Sequence, residues 1–495
     1  MPKLNELLTG IDTKIYPSLE TEITGIAYDS RKVEAGNIFV ALKGLKDDGK
    51  NYIQEVKEKG AVAIATEEKI DTPLPLILVS DCRLALAQLA ANFYGHPSEE
   101  LLLIGVTGTN GKTTVTYLIE SILNSAGEKT ALLGTINYRI GKEVFSSGLT
   151  TPESADLQRI LAEIREKNIK NVIMEVSSHA LSQKRIYGCN FDIAIYTNLS
   201  PEHLDFHQTM ENYFLAKTKL FTEISSGVKK NFPKFAIINL DCPWGEKIID
   251  LVKIPVITYS IKKKSDFRAD EIKLEEKGIS FILTTPQGKY SVYLPLLGKY
   301  NISNALAALA ATNALGIDLE KIIPALGRVN SIPGRLERID LGQPFAIVVD
   351  YAHTPDALKN VLVTLGELKK GQIITVFGCG GDRDRSKRPL MGEIAAQLSD
   401  KVIITTDNPR SEKPEKIALD IEVGIRRIGK DNYQVILDRK EAIKEALLRA
   451  GADDLVLVAG KGHENYQIFA GHTIHFSDKE VVAELLPGVN SWKKS

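Results

Sequence analysis

Cysteine is scarce: there are four in 495 residues, Cys82, Cys189, Cys242 and Cys379, with no Cys-x-x-Cys spacing. That excludes a disulfide framework and a cysteine zinc site, and it suits a reducing cytoplasm. Neither sign of charge is in excess. Lys plus Arg number 62 against 63 Asp plus Glu, a net charge of -1, so nothing global draws the chain to nucleic acid or to an anionic membrane. Long apolar runs are missing too: Leu101 to Val106 is far too short to cross a bilayer, and the N-terminal Met1-Pro-Lys-Leu-Asn-Glu has no apolar signal core. The expectation is a chain with no export signal and no membrane span, whose partners are small molecules. Repeats and low-complexity segments are also lacking. What remains is an ordinary globular composition, 43% hydrophobic and 25% charged. The length is too great for one core and suggests about three domains.

The pattern along the chain is α/β. From Leu4 to about Tyr94, short runs (Ile38 to Leu42, Ala61 to Ala65, Leu76 to Val79) alternate with helix-like pieces such as Leu84 to Tyr94. Gly95-His-Pro-Ser-Glu-Glu is turn chemistry, which sets the first domain at residues 1–96. A second domain, 97–332, carries Val172 to Val176, Ile193 to Asn198 and Phe235 to Asn239, separated by helical stretches in the rhythm of a parallel sheet. Alternating runs around Pro286-Gln-Gly predict an antiparallel extension of that sheet, and Asn304 to Leu315 predicts an alanine-rich helix. Ser331-Ile-Pro-Gly-Arg closes the domain. The third, 333–495, has near-continuous apolar runs at Phe345 to Asp350, Ile373 to Gly378, Val402 to Thr406 and Leu455 to Gly460, as buried parallel strands do.

The segment Leu101-Leu-Leu-Ile-Gly-Val-Thr-Gly108-Thr109-Asn110-Gly111-Lys112-Thr113-Thr114 carries the strongest chemistry. An apolar run feeds a glycine turn, where backbone N–H groups can converge on phosphate, and then a helix whose positive end faces the same anion. Lys112 adds charge and Thr113 is a ligand type for Mg²⁺. ATP or GTP is the expected ligand. The strict pattern wants glycine five residues before Gly111, where Val106 stands, so this is a variant loop. Glu175, inside a run that should be buried, needs a cation beside it, and a metal is the expected partner. His203, in Asn198-Leu-Ser-Pro-Glu-His203-Leu-Asp-Phe-His, follows the next strand and is placed at the same nucleotide site.

Gly108 to Thr114 resembles the loop of the Mur ligases and folylpolyglutamate synthetases. The resemblance to Mur ligases then runs through nearly the whole chain: Glu175, Asn198 to His207, Asn301-Ile-Ser-Asn304-Ala, Pro333-Gly-Arg335-Leu-Glu and Asp350-Tyr-Ala-His353-Thr-Pro. It implies a small N-terminal α/β domain that anchors substrate, a central P-loop ATPase domain, and a C-terminal Rossmann-like domain that delivers an amino acid. It also implies ATP with Mg²⁺, two ions, held by Thr113, Glu175, His203 and Lys217, the last as a carbamate made from CO₂. From residue type alone Lys217 is a solvated helix charge. Asn301 and Asn304 take the adenine side, with capping of the alanine-rich helix as the alternative. Arg335, Asp350 and His353 take phosphate and ribose, with a hinge ion pair as the alternative. The reaction implied is formation of an acyl phosphate from a substrate carboxylate, followed by attack of an amine, in a cytoplasmic monomer.

Which substrates are implied follows from smaller motifs. Tyr28-Asp-Ser30-Arg31 resembles the uridine-nucleotide anchor of the tripeptide-forming branch, with the Gly44 to Gly49 loop as a candidate cover for uracil. Thr150, Thr151, Ser177, Gln183 and Arg185 match positions that hold the UDP-muramoyl dipeptide. Asp407-Asn408-Pro409-Arg410 resembles the motif for meso-diaminopimelate, whose distal carboxylate an arginine can grip in a bidentate way. Arg383 is matched to carboxylate, and Gly460 and Glu464, in Gly460-Lys-Gly-His-Glu464, complete the set, Glu464 for the distal ammonium. The alternatives are lysine as the added amino acid, a folylpolyglutamate synthetase, and a nucleotide-binding module without chemistry.

Overall fold

The computed structural model describes residues 1–495 except 17–19, 45–46, 227, 276 and 493–495. Three α/β units follow one another, each around its own sheet. In the first, strands Thr13–Tyr16, Leu76–Val79, Ala63–Thr66, Asn37–Val40 and Gly25–Ala27 lie side by side in that order, parallel except for the first. The helix Cys82–Phe93 starts where the Asp81 carboxylate caps the Leu84 N–H, and it lays Ala85, Leu86, Leu89 and Ala90 on the sheet. The candidate cover for uracil, Gly44 to Gly49, lies partly outside the described residues. At the junction with the second unit, the buried Lys230 ammonium donates to the carbonyls of Ser98, Leu101 and Asn190 and to Asp192, which fixes the linker.

Among the described residues the second sheet has eleven strands, and the phosphate-loop strand Leu102–Thr107 lies well inside it, buried at every position. Asn171–Glu175 and Ile193–Tyr196 flank it in parallel, Glu175 level with Val106 and Tyr196 level with Thr107. The chain leaves the central strand to both sides, so the loops beyond Thr107, Glu175 and Tyr196 open into one crevice, where ligands of such sheets bind. Val106 is a sheet-core residue with no exposure; the chain does not turn until Gly108, which is why valine stands where a longer loop would need glycine. Helices Lys112–Ser125 and Tyr300–Ala314 cover one face, and each fully buried Leu or Ile there contributes about 1.5–3 kcal/mol. The second helix begins four residues earlier than its alanine run suggests, so Asn301 and Asn304 lie inside it and Lys299 takes the N-cap position.

The expected antiparallel extension is present as Phe267–Glu275, Gly278–Thr285 and Gly288–Leu294. The opposite edge carries a hairpin that the sequence pattern does not announce, Asn137–Ile140 with Glu143–Ser146; its outer strand is exposed throughout. In the third unit Glu337–Ile339 runs antiparallel to Ala346–Asp350, followed in parallel by Leu455–Ala459, Ile373–Phe377, Lys401–Ile404 and Tyr433–Val435. The ends of these parallel strands put Tyr351 to His353, Gly378 to Arg383, Asp407 to Arg410 and Gly460 to Glu464 on one edge, facing the second unit. A ribbon of Tyr466–Phe469 and His472–His475 borders that edge.

Candidate active site

Gly108 turns the chain out of its strand at φ +149, and a side chain there would put Cβ 1.8 Å from Thr197 Oγ1, so only glycine fits. The loop is shaped by the neighbouring strand end: Asn110 N–H donates to Asn198 Oδ1 at 2.9 Å, Thr109 N–H to the Asn198 carbonyl at 2.8 Å, and the Thr197 hydroxyl to the Asn110 carbonyl at 2.6 Å. Gly111 leads into helix Lys112–Ser125, which no side chain caps, so its first-turn N–H groups face the crevice as donors. Lys112 Nζ lies along the loop on the carbonyls of Gly108 and Thr109, both at 2.9 Å. Burial pushes its pKa down, against the pull of Glu202 and Glu175.

Thr113 and Glu175 are neighbours: the hydroxyl donates to Glu175 Oε1 at 3.0 Å and accepts from Arg335 Nη2 at 3.2 Å. Thr135 adds its N–H and hydroxyl to the same carboxylate at 2.9 and 3.0 Å. Glu175 is 1% exposed, so these bonds keep a buried carboxylate satisfied. Arg335 Nε is buried and without a partner among the described residues, which leaves a donor for an anion. The donor set therefore fits a nucleotide phosphate with Mg²⁺: uncapped N–H groups and an orphaned guanidinium N–H for the anion, and a hydroxyl and carboxylate as hard oxygens for the cation. Among the described residues no three His, Cys, Asp or Glu side chains converge to hold a metal by themselves.

Lys217, on helix Met210–Ser226, is 1% exposed. Its Nζ donates to the Gly108 carbonyl at 2.9 Å and lies 4.5 Å from the centre of the Tyr213 ring. The same carbonyl thus accepts from two lysines. Burial and the Lys112 charge hold the Lys217 pKa well below the usual amine range, with Glu202 opposing. His203 follows Pro201-Glu202 at φ +56, and its ring packs edge-on against His179, centroids 4.7 Å apart. Its pKa is pushed down to about 4 by burial, with Lys112 and Lys217 adding and Glu202 opposing. Glu202 lies 3.8 Å from His203 Nε2 and 3.4 Å from His353 Nε2. Burial alone would raise the Glu202 pKa, but these histidines and Lys112 hold the carboxylate well below its usual range.

Two cavities adjoin this centre. One, of about 480 Å³, is lined by Asn110, Thr113, Asn198, Asn304, Asp350 and Asp356 among others. Asn304 Nδ2 donates to Asn301 Oδ1 at 2.8 Å, and Asn301 Nδ2 to the Leu297 carbonyl, so Asn304 faces the cavity and Asn301 supports it. Asp350 accepts the Leu336 N–H at 2.6 Å. His353 sits away from this cavity, with Glu202. The other cavity, of about 720 Å³, lies between the exposed hairpin and the third unit and gathers Arg383, Asp407, Asn408, Arg410, Gly460 and Glu464. Asn408 Nδ2 donates to Glu464 Oε2 at 2.9 Å. Arg410 rests on the carbonyls of Gly381 and Asn408 at 2.8 and 3.5 Å, and its pKa is lowered by burial and by Arg383.

Toward the first unit, Thr151 Oγ1 donates to the Glu175 carbonyl at 2.9 Å and accepts from Ser177 N–H at 3.1 Å. Arg185 donates to the Thr151 carbonyl and to Gln183 Oε1 at 3.2 and 2.6 Å and shares Glu153 with Arg83. Thr150 meets Thr135, 3.0 Å between hydroxyls. Tyr28 reaches across from the first unit, its hydroxyl 2.5 Å from Asp156 Oδ2. Ser30 and Arg31 stay within that unit: the Ser30 carbonyl takes Lys59, and Arg31 forms an exposed ion pair with Asp29. Pro409 backs the turn, its carbonyl accepting the Glu412 N–H.

Comparison with known proteins matches three family models in chain order: the Mur ligase family catalytic domain at residues 22–94, the Mur ligase middle domain at 106–312, and the Mur ligase glutamate ligase domain at 334–462. A UDP-N-acetylmuramoyl-L-alanyl-D-glutamate--2,6-diaminopimelate ligase of Syntrophomonas wolfei subsp. wolfei is 47% identical, covering 98% of this chain and 99% of its own. The chain belongs to the Mur ligase family. A Geobacillus kaustophilus protein of the same name is 46% identical, covering 93% of this chain and 94% of its own. Among solved structures, a ligase of that name superimposes with TM-score 0.69 at 35% identity, covering 99% of both chains.

Several residues of this Mur ligase site escape sequence reasoning. Glu202 lies inside a quoted motif but looks like a turn residue until His203 and His353 are seen on it. Asp356, on helix Pro355–Leu368, accepts Asn110 Nδ2 at 3.0 Å and the Ser200 hydroxyl at 3.2 Å, joining the third unit to the phosphate loop. Its only signal was its place two residues after the Asp350-to-Thr354 motif. Lys461 has no exposure and donates to Glu464 Oε2 at 3.0 Å and Asn408 Oδ1 at 3.3 Å. Arg83 and Thr135 carried no signal.

Proposed function

We propose that this chain is an ATP-dependent ligase that adds meso-2,6-diaminopimelate to UDP-N-acetylmuramoyl-L-alanyl-D-glutamate in peptidoglycan synthesis, as a cytoplasmic monomer. The observation that carries the choice of amino acid is the larger cavity, where Arg383 and Arg410 stand with Glu464. A distal carboxylate meets the arginines and a distal ammonium meets Glu464. Lysine brings the ammonium alone and leaves Arg410 desolvated without an anion, a loss of about 1–3 kcal/mol.

ATP takes the smaller cavity, with Asn304 and Asp350 toward the nucleoside and the phosphates at the N-terminus of helix Lys112–Ser125. The muramoyl dipeptide lies along Thr150, Thr151, Ser177, Gln183 and Arg185, with its nucleotide end toward Tyr28. Bringing its carboxylate to the γ-phosphate sets like charges together, which costs about 4 kcal/mol per unit pair at ~4 Å and an effective dielectric of ~20. Lys112 and Arg335 offset that repulsion. Thr113 and Glu175 would hold Mg²⁺, which when bound would further neutralise the phosphate charge. Burial and Lys112 lower the Lys217 pKa, which favours the neutral amine that could add CO₂ with loss of one proton; the anionic carbamate would then be a ligand for a cation beside His203. The carboxylate takes the γ-phosphoryl group as ADP leaves, and the diaminopimelate amine then displaces phosphate and loses a proton to give the amide.

The test is substrate dependence with purified protein. Sustained turnover to ADP and phosphate must require dipeptide and diaminopimelate together, and the product must gain the mass of diaminopimelate less water. Phosphate release without either substrate overturns the reading.

A further inference from the structure

The two arginines of the larger cavity belong to separate loops, and the structure shows what holds those loops together. Gly381 N–H donates to the Asn408 carbonyl at 2.9 Å, and a side chain on Gly381 would put Cβ 1.9 Å from the Pro409 carbonyl oxygen. The Ser411 hydroxyl donates to Asp382 at 2.6 Å. Both loops hold a non-glycine residue in left-handed backbone, Asp382 at φ +53 and Arg410 at φ +54, which persists only where surroundings impose it. Behind them sits Glu412. Its carboxylate accepts the Asp382 N–H at 2.7 Å, Arg385 at 2.9 Å, and Arg388 through both terminal nitrogens at 2.8 and 3.1 Å. Arg388 has no exposure; it also pairs with Asp420 at 2.8 Å and donates to the Gly380 carbonyl at 3.2 Å.

Gly380 lies between the arginines: a Cβ there would be 3.0 Å from Arg410 Nη1 and 3.7 Å from Arg383 Cγ. Two guanidinium groups of like charge share this wall of the cavity, and burial first, then the charge of Arg383, lowers the Arg410 pKa. A carboxylate is gripped by both only if the loops are kept in register. We infer that the ion pair of the buried Arg388 with Glu412 is a positioning element that fixes Arg383 and Arg410 at the spacing required by a distal carboxylate, and so sets the preference for a diamino diacid. The inference rests on the proposed function. Neither member of the pair lines the cavity, so both act through the loops.

The experiment compares kcat/KM for meso-diaminopimelate and for L-lysine, with saturating ATP and dipeptide, in wild type, Glu412→Gln, Arg388→Met, Arg388→Lys and Ser411→Ala. Glu412→Gln and Arg388→Met should lower kcat/KM for diaminopimelate roughly 10- to 100-fold, mainly through KM, as loss of positioning does. The value for lysine should hold, so the preference collapses; Arg388→Lys should restore part of it, and KM for ATP should not move. General loosening of the fold would instead lower both amino acids together. Ser411→Ala removes one exposed bond and should shift the ratio the same way to a smaller extent, which keeps the test open if a buried variant does not fold. A wild type that prefers lysine overturns the functional reading itself. A wild type that prefers diaminopimelate with variants that keep the full ratio overturns this inference alone.

Discussion

Replacing Arg410 with methionine keeps a flexible unbranched stem and removes the guanidinium with its charge. In the structure the guanidinium is half-buried and rests on the neutral carbonyls of Gly381 and Asn408, with Arg383 pushing against it. A bound carboxylate would exchange those contacts for charge-assisted hydrogen bonds of about 1.5–3 kcal/mol each. Allowing for the carbonyl contacts given up, Arg410→Met should cost about 3 kcal/mol with diaminopimelate, roughly a hundredfold in KM at 1.4 kcal/mol per decade. Lysine makes no such bond, and removing the repulsion from Arg383 should leave its kcat/KM unchanged or higher. The assay is amine-dependent phosphate release with each amino acid in turn. An equal loss for both would refute the reasoning, since it would mean that Arg410 supports the site in general and does not read a carboxylate.

Lys217→Met should lower turnover by about two orders of magnitude or more while ATP binding, followed by calorimetry, changes little, because the residue faces the Gly108 carbonyl and not the nucleotide cavity. Asp356→Ala should raise KM for ATP about tenfold, since it removes the carboxylate shared by Asn110 and Ser200 at the loop. His179, His203 and His207 have pKa values pushed down to about 4, and His463 to about 3, all by burial first. The unfolded chain therefore binds more protons than the folded one below about pH 6.5, so the stability these neutral rings contribute is complete above that pH and is lost as pH falls toward 4. The unfolding midpoint should drop across that window, and His463→Gln should make the drop shallower.

Much of the site was legible because its chemistry is local. The phosphate loop and the strand runs each have a contiguous pattern with a physical reason behind it, whereas the Asp407-to-Arg410 turn was legible through its resemblance to a family motif, with a physical reason for Arg410 alone. The unannounced parts depend on distant segments. The helix surrounding Lys217 gives no sign that it will be 1% exposed; only packing of Tyr213 and the loop carbonyl over it does that. Arg388 is likewise a charge in a segment that reads as a solvated loop, and it is buried because Glu412 and Asp420 from other segments pair with it; Lys461 is buried with Glu464 of its own turn and Asn408 of another strand end. The hairpin at Asn137–Ile140 and Glu143–Ser146 escaped because its outer strand, Glu-Val-Phe-Ser, sets one polar and one apolar residue on each face and is exposed throughout, with no alternation to read. Arg83 and Asp356 join the site through contacts between units.

The central claim is that this site joins a diamino diacid to the muramoyl dipeptide. The most direct measurement is initial-rate phosphate release by the purified protein with ATP and UDP-N-acetylmuramoyl-L-alanyl-D-glutamate, comparing kcat/KM for meso-diaminopimelate and L-lysine. The account predicts a preference for diaminopimelate of at least about tenfold, the size of a lost charge-assisted bond. Equal use of the two, or a preference for lysine, would contradict it.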